Sequence, residues 1–564
     1  MSVYDLKTQS LPQLKGAGLK LSASVMENPF LLGMIAPKLL RDAGIPAFRR
    51  LNFDEDPCYT PVQGFGVNNG TDNDGADPNG LLAEIEAAPG KGRTVPQVGV
   101  RAYAEAYRSK EIDPVTVATR IMDAAPTSDS GPRGMNLFIA MEEEDLLTQA
   151  RAAKERIDQG KPLGIFDGVP VAIKDEFHQV PYPTTVGTAF WGNRPAPYDA
   201  FAVERLRAQG ALLIGKTNMH EIGINPNGLN VHYGPVRNPY NLDHDTGGSS
   251  SGSAAVVAAG FAPVAMGADG GGSIRVPSGY CGVVGLKPTY GRVSEYGAAP
   301  LCWSVAHVGP IAASVEDLVL AYGAVAGKDP RDPNSLRQPP VTVAGWNTPD
   351  LTGVRIGVFK EWNTHCDPQC SSSCNAMIEK FEKAGAEVTA IEIPELDAMR
   401  VAHCILILSE MAASMADHKD NRRRMGAAVR INLALANLVT ASDYVNAQRM
   451  RKRAMNLFGD LYNTVDLIVS PGSATTVPPI PKGFERAGWS SLSTELESMR
   501  YVFPGNLTGF PAITFPGGYD AKGLPLAIHA MAAPWQEALL FRLAHVAEAV
   551  VERRLPGNHY PILG

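Results

Sequence analysis

The residues able to do chemistry in this 564-residue chain cluster in one stretch, Thr246 to Pro288, which reads TGGSSSGSAAVVAAGFAPVAMGADGGGSIRVPSGYCGVVGLKP. Gly247-Gly248-Ser249-Ser250-Ser251-Gly252-Ser253 places four hydroxyls in a loop that opens an Ala/Val-rich helix. Further on, Gly270-Gly271-Gly272 stands directly ahead of Ser273, with Ile274-Arg275 behind it. Three successive glycines admit backbone angles closed to other residues and let a substrate come close to the main chain. Their N–H groups can converge on a developing oxyanion, so Ser273 is a candidate nucleophile beside its own oxyanion hole. A serine attacks poorly until a base takes its proton. Pro170-Val-Ala-Ile-Lys174-Asp175 offers one: a short apolar run, read as a buried strand, that ends in a lysine. Burial disfavours the ammonium form, so Lys174 is expected to serve as a general base.

Lys174, then Gly-Gly-Ser249-Ser250, then Gly-Gly-Gly-Ser273-Ile-Arg, in that order and spacing, resemble the amidase signature family and its Ser–cis-Ser–Lys triad. The resemblance spans roughly Gln97 to Val551. Within the family the chain looks most similar to plant-type fatty acid amide hydrolases. The segments that carry this are Leu19-Lys-Leu, Glu27-Asn-Pro-Phe30-Leu-Leu, Ala102-Tyr-Ala-Glu-Ala-Tyr-Arg-Ser109 and Val401-Ala-His403-Cys. The resemblance implies an α/β fold with a large twisted mixed β-sheet covered by helices on both faces, preceded by an N-terminal helical extension. It divides the chain into a helical arm and linker over 1–96 and a catalytic domain over 97–564.

The same resemblance implies that Ser273 attacks an amide carbonyl and that Ser249 relays the proton to Lys174. The N–H groups of Gly270, Gly271, Gly272 and Ser273 would hold the oxyanion. The Gly248–Ser249 peptide would be cis, and Gly223 would fall at the acyl-binding contact. Asp269, Arg275, Ser250 and Ser251 are expected to support the loops. No metal and no organic cofactor is needed. The implied substrates are N-acylethanolamines and related long-chain amides, cleaved to free acid plus amine by a homodimer that touches a membrane surface. A general aryl or aliphatic amidase is one alternative, and a component of a glutamine-dependent amidotransferase is another.

Bulk properties agree with an enzyme. Hydrophobic residues make up 45% of the chain and charged residues 19%, which fits a globular fold rather than a disordered chain. A net charge of −7 argues against a nucleic-acid partner. No uninterrupted apolar run reaches the ~20 residues of a spanning helix. MSVYDLKTQS lacks the form of a secretory signal, and seven cysteines are few for this length, so an intracellular site is expected.

The elements that must position these residues follow from pattern. Residues 11–45 read as two helices, with Asn28-Pro29 starting the second and Pro37 disturbing it. They are a packed arm, a lid over the substrate channel, a dimer contact or an in-plane membrane contact, and the resemblance favours the lid. Residues 52–96, rich in Asp, Asn, Gly and Pro, read as a strap. Asp72, Asp74 and Asp77 there lack the glutamate of an EF-hand loop. From Gln97 strands and helices alternate, as in a sheet covered on both faces. Met135–Met141, the run ending at Lys174, Ala211–Gly215, Ala262–Gly267, Val354–Phe359, Ala386–Ile393 and Asp466–Ser470 read as strands. Pro511–Pro516 and Leu524–His529 read as a strand pair. The αβ repeat at Val354–Ile393 reads as a second layer of the sheet.

Three motifs compete with this reading. Gly210–Thr217 matches the P-loop pattern GxxxxGK[ST], but Ala-Leu-Leu-Ile between the glycines is itself the strand, so Lys216 is read as structural. Gly248-Ser-Ser250-Ser-Gly252 matches the GxSxG elbow, but polar, turn-like residues precede it instead of a buried strand. Cys366, Cys370 and Cys374 share a helical spacing beside His365 without the CxxC pairs of a zinc site, and they read as the start of a helix over Asn375–Ala384. His178, His307 and His403 read as packing or surface residues.

Overall fold

Apolar runs too short for helices pair into one eleven-stranded mixed sheet in the computed structural model of the chain. The structure describes residues 3–8, 13–65, 78–88, 95–484 and 488–564. The strands are β1 (Phe138–Ala140), β2 (Pro170–Lys174), β3 (Leu212–Thr217), β4 (Val264–Ala268), β5 (Val284–Lys287), β6 (Val308–Ala312), β7 (Arg355–Val358), β8 (Glu387–Ala390), β9 (Leu467–Pro471), β10 (Ala512–Tyr519) and β11 (Pro525–Ala532). Across the sheet they run β8-β7-β9-β11-β10-β5-β6-β4-β2-β3-β1. The flanks β8-β7-β9 and β4-β2-β3 are parallel. The middle, from β9 through β11, β10, β5 and β6 to β4, is antiparallel.

Both faces are covered, because successive side chains of a strand point to opposite sides. Along β9, Leu467 and Val469 enter one apolar core and Ile468 another. Helices Val315–Val325, Pro368–Lys383 and Glu537–Val550 fill the first core. Helices Leu396–Ser414 and Ala441–Leu461 fill the second. The apolar segment Leu396–Arg424 has the length and composition of a membrane span, the only such helix among the described residues, and half of its apolar window is buried.

The structure corrects several elements. β7 and β8 extend the same sheet and form no second layer. The helix expected from Asn375 starts at Pro368, because Asp367 accepts the Gln369 N–H at its N-terminus and fixes the first turn there. Cys370 and Cys374 therefore lie within it, buried. The expected strand Met135–Met141 shrinks to β1. The strap contains a helix, Pro78–Ala87, whose Leu81, Leu82 and Ile85 join the first core. Asp72, Asp74 and Asp77 lie outside the described residues.

The arm forms two helices, Gly16–Glu27 and Pro29–Asp42. The Asn28 side chain accepts the N–H groups of Phe30 and Leu31 at 3.0 and 3.2 Å, which sets where the second begins. That helix runs through Pro37 without ending. Leu19, Ala23, Met26 and Leu32 pack against Ile431 and Ala434, and Glu27 pairs with Arg422 and Arg430. Leu21, Phe30 and Met34 face outward, 66%, 75% and 67% exposed.

Candidate active site

Two parallel neighbours bring the candidate residues together. β2 and β4 lie side by side with Ile173 opposite Met266, so both chains leave the sheet at one end. Sites of α/β sheets form at the carboxyl ends of strands. Lys174 ends β2 and Ala268 ends β4, and the Asp269–Ser273 loop follows directly. The serine loop is held beside them by the helix Ser251–Ala258, which is buried along its whole length. Its small residues let it lie close: a Cβ on Gly252 would stand 2.5 Å from the Leu137 carbonyl oxygen.

Lys174 is fully buried and has three partners. Its Nζ donates to Ser249 Oγ at 2.9 Å and to the Ala268 carbonyl at 3.2 Å, and it pairs with Glu176 Oε2 at 2.7 Å. The Gly248–Ser249 peptide is cis. Ser250 N–H donates to the Ser273 carbonyl at 3.1 Å, which joins the two serine loops. Ser250 Oγ donates to the Ala268 carbonyl at 3.2 Å, and Ser251 Oγ to the Asn218 carbonyl at 3.3 Å. Both hydroxyls therefore bind loop backbone, not the lysine. Gly223 takes a left-handed φ of +69°, and a Cβ there would lie 3.2 Å from Ser249 Oγ. Gly223 thus forms part of the wall over that hydroxyl.

The glycine loop is shaped from below by Asp269. Its carboxylate accepts Gly272 N–H at 2.6 Å, Ile274 N–H at 3.1 Å and Arg275 Nε at 3.0 Å, and Asn506 Nδ2 donates to it at 2.9 Å. Burial would raise such a carboxyl, but the Arg275 charge and these hydrogen bonds hold it far below the usual carboxylate range. Gly272 has φ +116°, and a Cβ there would meet Val502 Cγ2 at 2.5 Å. This corrects one expectation: the Gly272 N–H points to Asp269 and is not free for an oxyanion, because the carboxylate caps the turn. The N–H groups of Gly270, Gly271 and Ser273 have no partner among the described residues.

Reading the sequence misses two neighbours. Glu176 lies two residues past Lys174, in a turn closed by the Phe177 N–H on the Lys174 carbonyl at 3.1 Å, which folds its side chain back onto the lysine. His403, which reads as a packing residue, donates its Nε2–H to the Gly270 carbonyl at 2.8 Å. The His178 ring meets Thr184 Oγ1 at 2.9 Å and packs on Tyr198; the His307 ring meets the Val305 carbonyl at 2.8 Å and packs on Tyr290, while the His307 carbonyl accepts the Asp269 N–H at 2.8 Å. All seven cysteines are free thiols, and no cluster of three His, Cys, Asp or Glu fit for a metal occurs among the described residues.

A buried lysine hydrogen-bonded to one serine, with a second serine behind unpaired N–H groups, defines an α/β enzyme equipped for acyl transfer. Comparison with known proteins narrows the class. The protein family described as Amidase matches residues 133–541. The chain is 36% identical over 594 aligned residues to a fatty acid amide hydrolase of Oryza sativa subsp. indica, with 99% of this chain and 96% of that protein covered. It is 34% identical over 473 residues to a glutamyl-tRNA(Gln) amidotransferase component of Gloeobacter violaceus, with 79% and 94% covered. The crystal structure of native peptide amidase from Stenotrophomonas maltophilia superposes with a TM-score of 0.69 at 26% identity, covering 82% of this chain and 99% of that one. The chain belongs to the amidase signature family. It is an amide hydrolase acting on small amide substrates.

Proposed function

We propose that this chain hydrolyses long-chain fatty acid amides such as N-acylethanolamines to free acid and amine through an acyl-enzyme on Ser273. The observation that carries the chemistry is the buried Lys174–Ser249 contact of 2.9 Å, tied to the Ser273 loop through Ser250. Ser273 Oγ attacks the carbonyl, and Ser249 passes the proton towards Lys174 and then protonates the leaving amine. The N–H groups of Gly270, Gly271 and Ser273 receive the oxyanion. Asp269 and Arg275 hold that loop, and Gly223 borders the acyl group. Water releases the acid, without metal or organic cofactor.

Two observations favour a fatty-acyl substrate. The alignment with the rice fatty acid amide hydrolase covers 99% of this chain, whereas that with the amidotransferase component covers 79%. The arm also turns Leu21, Phe30 and Met34 outward, a face suited to lipid. The reading extends to an intracellular homodimer whose arm acts as a lid and touches a membrane surface.

The test is hydrolysis of N-acylethanolamines of increasing chain length against short aryl amides and glutamine, by purified protein alone. The expected rate rises with acyl length, and Ser273→Ala loses about 10⁴-fold or more together with fluorophosphonate labelling. A preference for short amides would overturn the fatty-acyl assignment. Glutamine hydrolysis without partners would favour the amidotransferase reading. Full activity in Ser273→Ala would overturn the nucleophile.

A further inference from the structure

Of the two side chains that meet Lys174 Nζ, Ser249 enters the proposed mechanism and the nearer one does not. Glu176 Oε2 stands 2.7 Å away, closer than Ser249 Oγ at 2.9 Å. The Glu176 carboxylate has no other side-chain partner among the described residues. It forms one wall of a cleft of about 220 Å³ that also contains Glu295, Cys302, Trp303, His307 and Asp332. The half-exposed Trp303 marks where that cleft opens to solvent.

The charged and titratable groups around this carboxylate come from several segments. Lys174 ends β2, two residues before it. Arg331, across the cleft, is held by Asp329 and Glu204. Asp332 accepts the Glu295 and Asn334 N–H groups at 3.0 Å. Burial, with Asp332 and Glu176 nearby, pushes the Glu295 carboxyl well up. Burial and the carboxylates of Glu410, Glu176 and Glu295 push the Cys302 thiol well up, so it stays a thiol. Burial keeps His307 neutral. Among the described residues, Lys174 is thus the cation that pairs with Glu176.

An ammonium has no lone pair with which to take a proton from Ser249. We propose that Glu176 is the terminal proton acceptor of the relay: as Ser249 hands a proton to Lys174 Nζ, Lys174 hands another to Glu176 Oε2. One O–H bond breaks at Ser273 and one forms at Glu176. The proton counts of Ser249 and Lys174 are unchanged. The negative charge leaves the Glu176 carboxylate and ends on the carbonyl oxygen of the tetrahedral intermediate. On collapse the protons run back, and the leaving nitrogen takes one from Ser249. Glu176 touches neither the substrate nor Ser273 and takes part through Lys174. The inference rests on the Ser273–Ser249–Lys174 reading.

The test compares kcat, KM and the pH profile of Glu176→Gln, Glu176→Asp and Lys174→Met in the full chain. Glutamine keeps the shape and cannot take the proton. The expected result is a loss in kcat of about 100-fold at every pH with KM unchanged, partly restored by Glu176→Asp. If Glu176 only neutralises the ammonium, Glu176→Gln keeps its plateau kcat and its acid limb moves to lower pH; that result overturns the proposal. Should Glu176→Gln fail to fold, Glu176→Asp decides: reduced kcat at unchanged KM and melting temperature supports the proposal, and unchanged kcat overturns it. Full activity in Lys174→Met would overturn the underlying triad as well. Loss in Lys174→Met with none in either Glu176 variant overturns the present inference alone.

Discussion

Two lysines sit on neighbouring strands, both fully buried and both facing a carboxylate, yet their surroundings suit them to opposite tasks. Lys174 ends β2 against Glu176 at 2.7 Å; Lys216 lies in β3 against Asp175 at 2.9 Å. The other partners of Lys216 are the carbonyls of Phe177 at 2.7 Å and Pro183 at 3.3 Å, which have no proton to exchange, and the Thr184 hydroxyl at 3.5 Å. Asp175 is itself bound by Thr185 N–H at 3.1 Å and Gly187 N–H at 3.2 Å. Burial pulls Lys216 below the ordinary lysine range, opposed by Asp175. Lys174 instead touches a serine hydroxyl, and its carboxylate borders a solvent cleft. Burial and an ion pair do not separate a structural lysine from a reactive one. What separates them is a close hydroxyl: Ser249 Oγ stands 2.9 Å from Lys174, whereas Thr184 Oγ1 lies 3.5 Å from Lys216 and gives its own hydrogen to the Phe177 carbonyl.

Replacing each lysine by methionine is the most direct way to break this comparison. Lys174→Met is expected to lose about 10³-fold in kcat/KM, since it breaks the proposed proton relay, with a small change in melting temperature. Glu176 borders the cleft, where water can reach it once its partner is gone. Lys216→Met should do the reverse. It strands Asp175 without a counter-ion in the interior, at a cost of about 3–5 kcal/mol of folding stability, while the protein that does fold keeps its turnover. Urea titration alongside steady-state kinetics checks both. If Lys216→Met lost turnover as steeply as Lys174→Met at unchanged stability, the distinction would fail.

The contrast also shows what a sequence exposes. Lys174 and Lys216 are separable there, because one ends an apolar run ahead of two serine loops and the other follows the run that defeats a P-loop reading. The serines and glycines are legible because nucleophile chemistry requires those residue types next to one another. The loss of Gly272 N–H to Asp269 is not, since it depends on how a carboxylate three residues earlier turns under the loop. Nor is the Glu176 contact, which depends on the turn closed by the Phe177 N–H on the Lys174 carbonyl. His403 is not, because helix Leu396–Ser414 delivers it to Gly270 from 133 residues away. In the fold, the parallel flank β4-β2-β3 follows from strands alternating with helices, and β10-β11 from two apolar runs joined by a Gly-rich turn. Nothing local places β7 and β8 at the far edge of the same sheet, since that order is set by packing between distant segments.

His403 sharpens the comparison from the other side, as a buried titratable group at the site that has no counter-ion. Its Nε2–H donates to the Gly270 carbonyl at 2.8 Å. Burial pushes it from 6.5 down to about 4, against the opposing pull of that carbonyl. Between those values the unfolded chain binds a proton that the native chain refuses. Stability therefore rises with pH through this window and falls on acidification. At pH 5 the expected loss from this residue is about 2 kcal/mol relative to pH 7, at about 1.4 kcal/mol per pH unit below the unfolded value. His403→Gln keeps an N–H donor for Gly270 and removes the titration. It should flatten the stability difference between pH 7 and pH 5 by about that amount, with kcat lowered by less than about 10-fold. His220, also pushed down to about 4 by burial, keeps the slope from vanishing. An unchanged slope in His403→Gln would mean that the imidazole gains its proton without unfolding, so that the loop it holds opens locally before the fold is lost. In that case this histidine, unlike either lysine, would be solvated on demand.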